Sequence, residues 1–474
     1  MLAAAVVAYL AVSAAVGLYA ARRVRSTADY AAAGRRLTLP MVVATVFATW
    51  YGAETVLGVS AVFVREDLGA VVADPFGASL CLVLVALFFA RRLYALNLLT
   101  LGDFYRRRYG RAVEVGLTAC MVTGYLGWTA AQVIALGLVF SVISQGAIGM
   151  HAGMAIGIAI VLAYTLAGGM WSVAFTDLFQ MAVIVAGLAY VAWIAAGLAG
   201  GAGHVVAHAY AAGRFDFWPE TSAAGVLGFI GAGITLMLGS IPQQDTYQRV
   251  MSARSADIAV RGAFIGGVAY LAFAFVPMFL ASSAVLVDPA MTADLLRTDA
   301  QLVLPMLVMK HMPVAAQVLF FGALLSAIMS SASGALLAPA VSLAENVIRP
   351  FAPRLGDRGM LRLTRACVAG VAAVVLTFAL DAESGIFHLV EAAYTVTLVT
   401  GFVPLAAGLF WRRASTAGAA AAALAGLVTW VACAAWAPQA AMPPNLAGLL
   451  ASALGMVAGS IARPDARGSA GRPV

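Results

Sequence analysis

Four serines lie close together inside an apolar segment, residues 314–345, that is long enough to cross a lipid bilayer. They are Ser326, Ser330, Ser331 and Ser333. Hydroxyl groups inside hydrocarbon must find polar partners, and a cluster of them at mid-depth suits a small cation that prefers oxygen ligands. The adjacent pair, Ser330 and Ser331, is therefore a candidate ion site. The alternative is that these hydroxyls bond back to carbonyl groups one turn earlier in their own helix.

The composition of the chain is that of a membrane protein with many spans. Of its 474 residues, 63% are hydrophobic and 10% are charged, a balance that no soluble domain could keep in solution. With roughly 20 residues per span, the sequence predicts an all-α membrane protein of about thirteen transmembrane helices. Their predicted bounds are 3–21, 41–63, 71–91, 113–143, 148–168, 171–199, 223–245, 258–286, 314–345, 361–381, 385–411, 416–436 and 445–462.

The basic residues are distributed unevenly among the predicted loops. If the N-terminus faces outside, 24 of the 28 lysines and arginines fall in inner loops or in the inner tail, and one such loop is predicted to hold Arg249, Arg254 and Arg261. Inner loops of membrane proteins carry this excess of positive charge. We therefore expect a bacterial-type cytoplasmic membrane protein with its N-terminus outside and its C-terminus in the cytoplasm. The net charge of +7 then reflects topology, and no nucleic-acid partner is expected.

Two predicted helices carry polar and helix-breaking residues at mid-span. Helix 41–63 contains Gly52 and Glu54, and helix 223–245 contains Pro242 followed by two glutamines. Each of these helices opens a group of five, so the two breaks occupy corresponding positions. This pattern is typical of a transporter built from inverted repeats, with its binding site between them. The alternative is two ordinary kinked helices, because glycine and proline are common in membrane spans.

The sequence offers little support for other function classes. It contains neither a nucleotide-binding Gly-Lys-Ser/Thr loop nor a Gly-x-Ser-x-Gly elbow. His204 and His208 have a spacing that a zinc site could use, but no further ligands accompany them. We therefore expect neither a primary pump nor an enzyme.

Three segments, 48–58, 164–177 and 328–333, resemble the sodium:solute symporter family. The most specific motif is Gly-Gly-x-x-Ser-Val-x-x-Thr-Asp-x-x-Gln at 168–180, and the resemblance extends over 29–413. It implies a leucine-transporter-type fold with two inverted five-helix repeats. The implied division is a leading N-out helix in 1–28, a first repeat in 29–199, an external loop in 200–222, a second repeat in 223–413, two trailing helices in 414–462 and a disordered cytoplasmic tail in 463–474.

The resemblance also implies a sodium ion that is transported together with the solute. Unwinding at the first break would free backbone carbonyls, and sodium prefers such hard oxygen ligands. Asp177 is implied to lie on the route by which sodium leaves; the alternative is a carboxylate near the inner interface that caps a helix or pairs with an arginine. The implied sodium ligands are the hydroxyls of Ser330 and Ser331 and the carbonyls of Ala48, Tyr51 and Ala327.

Within the family, segments 48–50, 88–91 and 241–250 are most similar to the high-affinity choline transporter subgroup, which holds a quaternary ammonium group in an aromatic cage. Trp50 and Trp128 match two cage positions, and Phe387 is an aromatic residue at a third. However, Gln243 stands where the subgroup has a tryptophan, and Ala78 stands where it has a tyrosine. The predicted cage is therefore incomplete.

The sequence thus predicts a symporter that imports a small polar organic solute, such as an amino acid, a carboxylate or a short amine, by alternating access. The alternatives are sodium-coupled uptake of choline or another organic cation, and a solute sensor that does not accumulate its ligand. No obligatory protein partner is expected. The predicted substrate-binding residues are Trp50, Glu54, Thr55, Trp128, Gln243, Gln244 and Phe387.

Overall fold

The computed structural model describes residues 1–382, 386–437 and 440–465, with the backbone alone at 387 and 388. Within these residues the regular structure is helical, apart from one isolated bridge between Leu37 and Ala253. The helices are α1 (Leu2–Ala21), α2 (Thr27–Ala32), α3 (Leu39–Trp50), α4 (Glu54–Arg65), α5 (Val72–Ala95), α6 (Leu101–Tyr109), α7 (Arg111–Ile143), α8 (Met150–Leu198), α9 (Ala202–Ala211), α10 (Ala223–Gly239), α11 (Gln244–Ser252), α12 (Ala256–Val287), α13 (Pro289–Thr298), α14 (Val303–His311), α15 (Val314–Phe351), α16 (Asp357–Leu380), α17 (Leu389–Phe410), α18 (Thr416–Trp436) and α19 (Pro444–Ala462).

The number of membrane spans agrees with the prediction from sequence. In the described part of the chain, 10 helices are long and apolar enough to cross a membrane, or up to 12 if each of two bent pairs is one span. Helix α8 has 49 residues and is interrupted at Gly169, whose φ of 50° and ψ of −134° are not helical. Counting the two parts of α8 separately gives the predicted thirteen. The predicted all-α, multi-pass membrane architecture is confirmed.

Both predicted breaks are confirmed. Helices α3 and α4 meet at 52°, and helices α10 and α11 meet at 45°. At the first break the backbone leaves the helix at Tyr51, with φ −88° and ψ 73°. At the second, Pro242 lacks a backbone N–H, and Gln243 is extended, with φ −90° and ψ 140°. The broken helices therefore leave backbone groups without helical partners in the membrane interior.

The prediction that Arg249 lies in an inner loop is wrong. After the second break the chain resumes as α11, and all 9 residues of this helix are buried. Arg249 itself is 1% exposed. The interpretation from sequence failed because it ended the helix at the polar residues near 245, whereas these residues only interrupt it.

Two segments predicted as loop or tail contain ordered structure. The predicted external loop, 200–222, contains α9. At the start of the predicted tail, the Asp465 carboxylate accepts a hydrogen bond from the backbone N–H of Thr416 at 3.2 Å. The remainder of that tail, 466–474, lies outside the described residues.

Helix α15 is the centre of the bundle. Every residue from Phe320 to Ser342 is buried, which is the pattern of a helix surrounded on all sides. Helix α15 packs against α8, α7 and α3. It therefore holds the serine pair against the first repeat, next to the first break.

Gly169→Ala is expected to destabilise the fold. Gly169 has φ +50°, and a Cβ there would overlap the carbonyl oxygen of Tyr30; strained backbone of this kind costs about 1–3 kcal/mol in a residue other than glycine. The midpoint of thermal unfolding in detergent should fall by several degrees. Gly197→Ala is the control, because it lies in the same helix and nothing lies within 4 Å of its Cβ position. Equal midpoints for the two variants would contradict this requirement for glycine.

Candidate functional site

The first break brings Ser331 against the backbone of the first repeat. The Ser331 hydroxyl donates a hydrogen bond to the carbonyl oxygen of Thr49 at 2.7 Å. In the described part of the chain, no backbone N–H bonds to the carbonyl oxygens of Ala48 or Tyr51. The end of α3 therefore presents several carbonyl groups beside the serine pair, as a sodium site would require.

Ser330 faces a different helix. Its hydroxyl donates to Oδ1 of Asp177, in α8, at 2.6 Å. Both side chains are fully buried, and Oδ2 of Asp177 has no hydrogen-bond partner among the described residues. The structure thus places the predicted exit-route carboxylate in direct contact with a predicted sodium ligand. Ala327 lies one turn before this pair and is also fully buried.

The four serines of α15 divide into two kinds. Ser326 donates to the carbonyl of Gly322 at 2.7 Å, and Ser333 donates to that of Ser330 at 2.9 Å. These two bond back within their own helix, which was the alternative for the whole cluster, and the Ser326 hydroxyl also lies 2.5 Å from the Tyr9 hydroxyl of α1. Ser330 and Ser331 instead bond to α8 and α3. Hydrogen bonding within the same helix therefore does not account for Ser330 and Ser331.

A buried cluster of aromatic rings lies at the same break. The rings of Trp50 and Tyr394 stack with centroids 6.1 Å apart, and those of Trp128 and Tyr394 are 5.8 Å apart. Tyr125 lies 5.9 Å from Trp128. Tyr394 was not predicted, because an isolated tyrosine in an apolar helix gives no signal of its own. The side chain of Phe387, the predicted third ring, lies outside the described residues.

Glu54 joins the aromatic cluster to the serine pair. Its Oε1 accepts a hydrogen bond from the indole N–H of Trp128 at 3.2 Å, and its Oε2 accepts one from the amide of Gln132 at 2.6 Å. Gly52 separates it from Ser331: a Cβ at Gly52 would lie 2.7 Å from the Ser331 hydroxyl and would overlap Oε2 of Glu54. The absent side chain therefore lets the carboxylate and the hydroxyl lie on the same side of the break.

The other predicted substrate residues have partners in different helices. The Gln243 amide donates to the Thr397 hydroxyl at 3.1 Å. The side-chain carbonyl of Gln244 accepts from the backbone N–H of Leu101 at 2.8 Å, so this residue holds the start of α6. Thr55 contacts a further buried carboxylate on the α4 side of the break. The structure thus brings together Trp50, Trp128, Glu54 and Thr55, whose hydroxyl lies 3.3 Å from the Trp50 carbonyl, while Gln243 and Gln244 bind elsewhere.

Arg249 connects the two broken helices. Its Nη2 donates to the Thr49 hydroxyl at 2.6 Å, and its Nη1 donates to the carbonyl of Asp245 at 3.0 Å. A Cβ at Gly334 would lie 2.5 Å from Nη2, so the guanidinium occupies space that this glycine leaves. The Asp245 carboxylate accepts from the Tyr125 hydroxyl at 2.5 Å. The contacts thus run from the serine pair through Thr49 to the aromatic cluster.

Comparison with known proteins identifies the family. The family model described as "Sodium:solute symporter family" matches residues 30–426. The chain is 29% identical to "High affinity choline transporter 1" of Homo sapiens over 432 residues, covering 87% of this chain and 73% of that protein. It is 24% identical to the sodium/glucose cotransporter of Vibrio parahaemolyticus over 444 residues, covering 87% and 81%. These relatives confirm that the chain is a transporter and not an enzyme.

Solved structures show the same fold. The substrate-bound, outward-open structure of a Na⁺-coupled sialic acid symporter matches with a TM-score of 0.83 and 16% identity, covering 98% of this chain and 97% of that one. A closed conformation of a nucleobase-cation-symport-1 family transporter matches with a TM-score of 0.61 and 12% identity, covering 90% and 93%. The predicted leucine-transporter-type fold is confirmed. The chain belongs to the sodium:solute symporter family, and it is a sodium-coupled symporter that imports a solute by alternating access.

Proposed function

We propose that this symporter imports a small organic amine in its cationic form. The observation that carries the proposal is a buried carboxylate in direct contact with an aromatic cluster. The indole of Trp128 packs against Tyr394 and donates a hydrogen bond to Glu54. Carboxylates and the faces of aromatic rings both attract cations, and a ring contact contributes about 0.5–2 kcal/mol.

The balance of buried charge also favours a cation. Among the described residues that the contacts join to the two breaks, the buried carboxylates are Glu54, Asp74, Asp177 and Asp245, and the buried guanidinium is that of Arg249. A negatively charged solute would meet an excess of acidic groups over basic ones, with Arg249 as its one basic partner among these residues. A positively charged solute would offset part of that excess.

A short primary or secondary amine fits these groups better than choline does. One of the relatives named above is a choline transporter, and a quaternary ammonium group has no N–H to donate. A carboxylate such as Glu54 has acceptor capacity beyond its two present hydrogen bonds, and an amine N–H can use it. Because Ala78 and Gln243 replace two aromatic positions of the choline transporter subgroup, attraction by rings alone would be weaker here.

Sodium would bind beside this solute, at the end of α3. The support is that the Ser331 hydroxyl already contacts a carbonyl of the broken helix, and that Ser330 contacts Asp177. Asp177 would then lie on the route by which sodium leaves. The proposed ligands are the hydroxyls of Ser330 and Ser331 and the carbonyls of Ala48, Tyr51 and Ala327.

We also propose a bacterial-type cytoplasmic membrane location, with the N-terminus outside and the C-terminus in the cytoplasm. The support is the excess of arginine in alternate loops. Arg249 lies in a helix and no longer counts toward that excess, but the remaining arginines still favour the same side of the membrane. No obligatory protein partner is part of this proposal.

The test is uptake by proteoliposomes with a panel of labelled short amines, choline, amino acids and carboxylates, with and without a sodium gradient. We expect a short amine to accumulate best, and Glu54→Gln to weaken its apparent affinity about 10- to 100-fold, because a hydrogen bond to a charged group contributes about 1.5–3 kcal/mol. Glu66→Gln is the control, because this carboxylate is 48% exposed. Preferred uptake of a carboxylate would refute the proposal, and binding without accumulation would favour a sensor.

A further inference from the structure

Asp74, at the start of α5, is a buried carboxylate with no basic partner among the described residues. It is 3% exposed, and the side chains nearest to it, those of Thr55 and Tyr270, are fully buried. The Tyr270 hydroxyl donates a hydrogen bond to Oδ1 of Asp74, and the Thr55 hydroxyl lies 3.4 Å from Oδ2. In the described part of the chain, no arginine, lysine or histidine forms an ion pair with Asp74. A lone carboxylate at this depth is costly unless a cation accompanies it.

The groups around Asp74 are rich in oxygen acceptors and poor in donors. The Thr55 hydroxyl lies 3.3 Å from the carbonyl oxygen of Trp50 and 3.0 Å from the Tyr270 hydroxyl. Each hydroxyl has a single proton to donate, so Thr55 and Tyr270 together cannot satisfy both carboxylate oxygens, the carbonyl and each other. Glu54 differs, because two N–H groups donate to it. The cluster around Asp74 therefore has acceptor capacity that a cation would use.

The distances from the Thr55 oxygen to its three oxygen neighbours are close to those between ligands of one small cation. Oxygen ligands of a sodium-sized ion such as calcium lie about 2.3–2.6 Å from it, so neighbouring ligands at right angles are roughly 3.3–3.7 Å apart. The Thr55 oxygen lies 3.0–3.4 Å from the oxygens of Asp74, Tyr270 and Trp50, close to this spacing, and the ion would replace the direct hydrogen bond between Tyr270 and Asp74. We propose that Asp74, Thr55, Tyr270 and the Trp50 carbonyl form a second sodium site.

This second site is distinct from the one at the serine pair, although both use the end of α3. The carbonyl of Thr49 contacts Ser331, and the next carbonyl, that of Trp50, contacts Thr55. Successive carbonyls of a helix point about 100° apart, so the two ions would lie on different sides of the same broken segment. With two sodium ions per transport cycle, the ratio of inside to outside solute concentration that a given sodium gradient can maintain would be the square of the ratio for one ion.

The test is equilibrium binding of radioactive sodium to the purified protein, which needs no knowledge of the solute. We expect Asp74→Asn to bind one sodium ion fewer per chain than the wild type. Ser331→Ala should retain both ions but bind one of them about 10- to 100-fold more weakly, and the double variant should retain only that weakened ion. Thr55→Val, which keeps its shape and loses one ligand, should retain both ions, with the affinity for one of them reduced at least tenfold.

Two controls separate loss of the site from loss of the fold. Asp67→Asn changes a carboxylate in the segment between α4 and α5 and should leave sodium binding unchanged. If Asp74→Asn does not fold, the sodium affinity of Thr55→Val tests the second site, and an affinity equal to that of the wild type overturns the proposal. The proposal is overturned if Asp74→Asn binds as many sodium ions as the wild type. That result is expected if Asp74 carries a proton instead of contacting sodium, or if Asp177 holds the second ion. It is likewise overturned if Ser331→Ala alone abolishes all binding.

Discussion

Ser331→Ala is expected to weaken the apparent sodium affinity of uptake about 10- to 100-fold. The substitution removes one of the two side-chain oxygens of the proposed site and leaves the carbonyls of α3 in place. Loss of an interaction with a charged partner costs about 1.5–3 kcal/mol, which corresponds to that change in affinity. The measurement is the sodium dependence of solute uptake by proteoliposomes at a fixed solute concentration.

Ser342→Ala is the matched control for this variant. Ser342 is buried in the same helix, and its hydroxyl has no hydrogen-bond partner among the described residues. The same loss of a hydroxyl should therefore leave the sodium dependence near that of the wild type. If Ser331→Ala kept the wild-type sodium affinity, the ion would have to bind elsewhere.

Arg249→Gln is expected to reduce uptake about 100-fold or more. Arg249 is the buried cation between the two broken helices, and its loss leaves the nearby buried carboxylates without compensation. Removal of one member of a buried charged pair typically costs about 3–5 kcal/mol. Among the described residues Arg249 forms no close ion pair, but its hydrogen bonds to Thr49 and Asp245 hold its charge near the buried carboxylates, so we expect a cost of similar size. Initial rates of solute uptake measure the effect. Arg254→Gln, in an exposed position, should leave the rate unchanged.

A double-mutant cycle tests whether Arg249 acts through Thr49. Thr49→Val removes the hydroxyl that accepts from Arg249 and keeps the carbonyl that accepts from Ser331. We expect a smaller loss of uptake from Thr49→Val than from Arg249→Gln, and a combined loss smaller than the sum by about 0.5–3 kcal/mol. Gly334→Ala should resemble Thr49→Val, because the added methyl would displace the guanidinium. Additive losses would show that the two residues act independently.

The features that were predictable from the sequence are those with local signals. Long apolar segments predict the spans, and glycine, proline and polar residues at mid-span predict the two breaks. The serine pair was recognisable for the same reason, because Ser330 and Ser331 are adjacent in the chain. Glu54 and Asp177 stood out because an ionisable residue inside a span is rare.

The features that were missed depend on contacts between distant parts of the chain. Tyr394 packs on Trp50 and Trp128 only because α17 lies against the first break. Asp74 falls near the start of the predicted helix 71–91, and its contact with Tyr270 joins two elements that no local pattern connects. Asp74 carries the same local signal as Asp177, an ionisable residue inside a predicted span.

Gly52 has a consequence for the order of events in the transport cycle. Because this residue has no side chain, the carboxylate of Glu54 and the hydroxyl of Ser331 face the same small space. An ion held by Ser331 would offset the cost of negative charge on Glu54, since two unit charges about 4 Å apart interact by about 4 kcal/mol at an effective dielectric constant of 20. Sodium would therefore bind first and stabilise the negative charge on Glu54, which then attracts a cationic solute. In the absence of sodium the solute would bind more weakly.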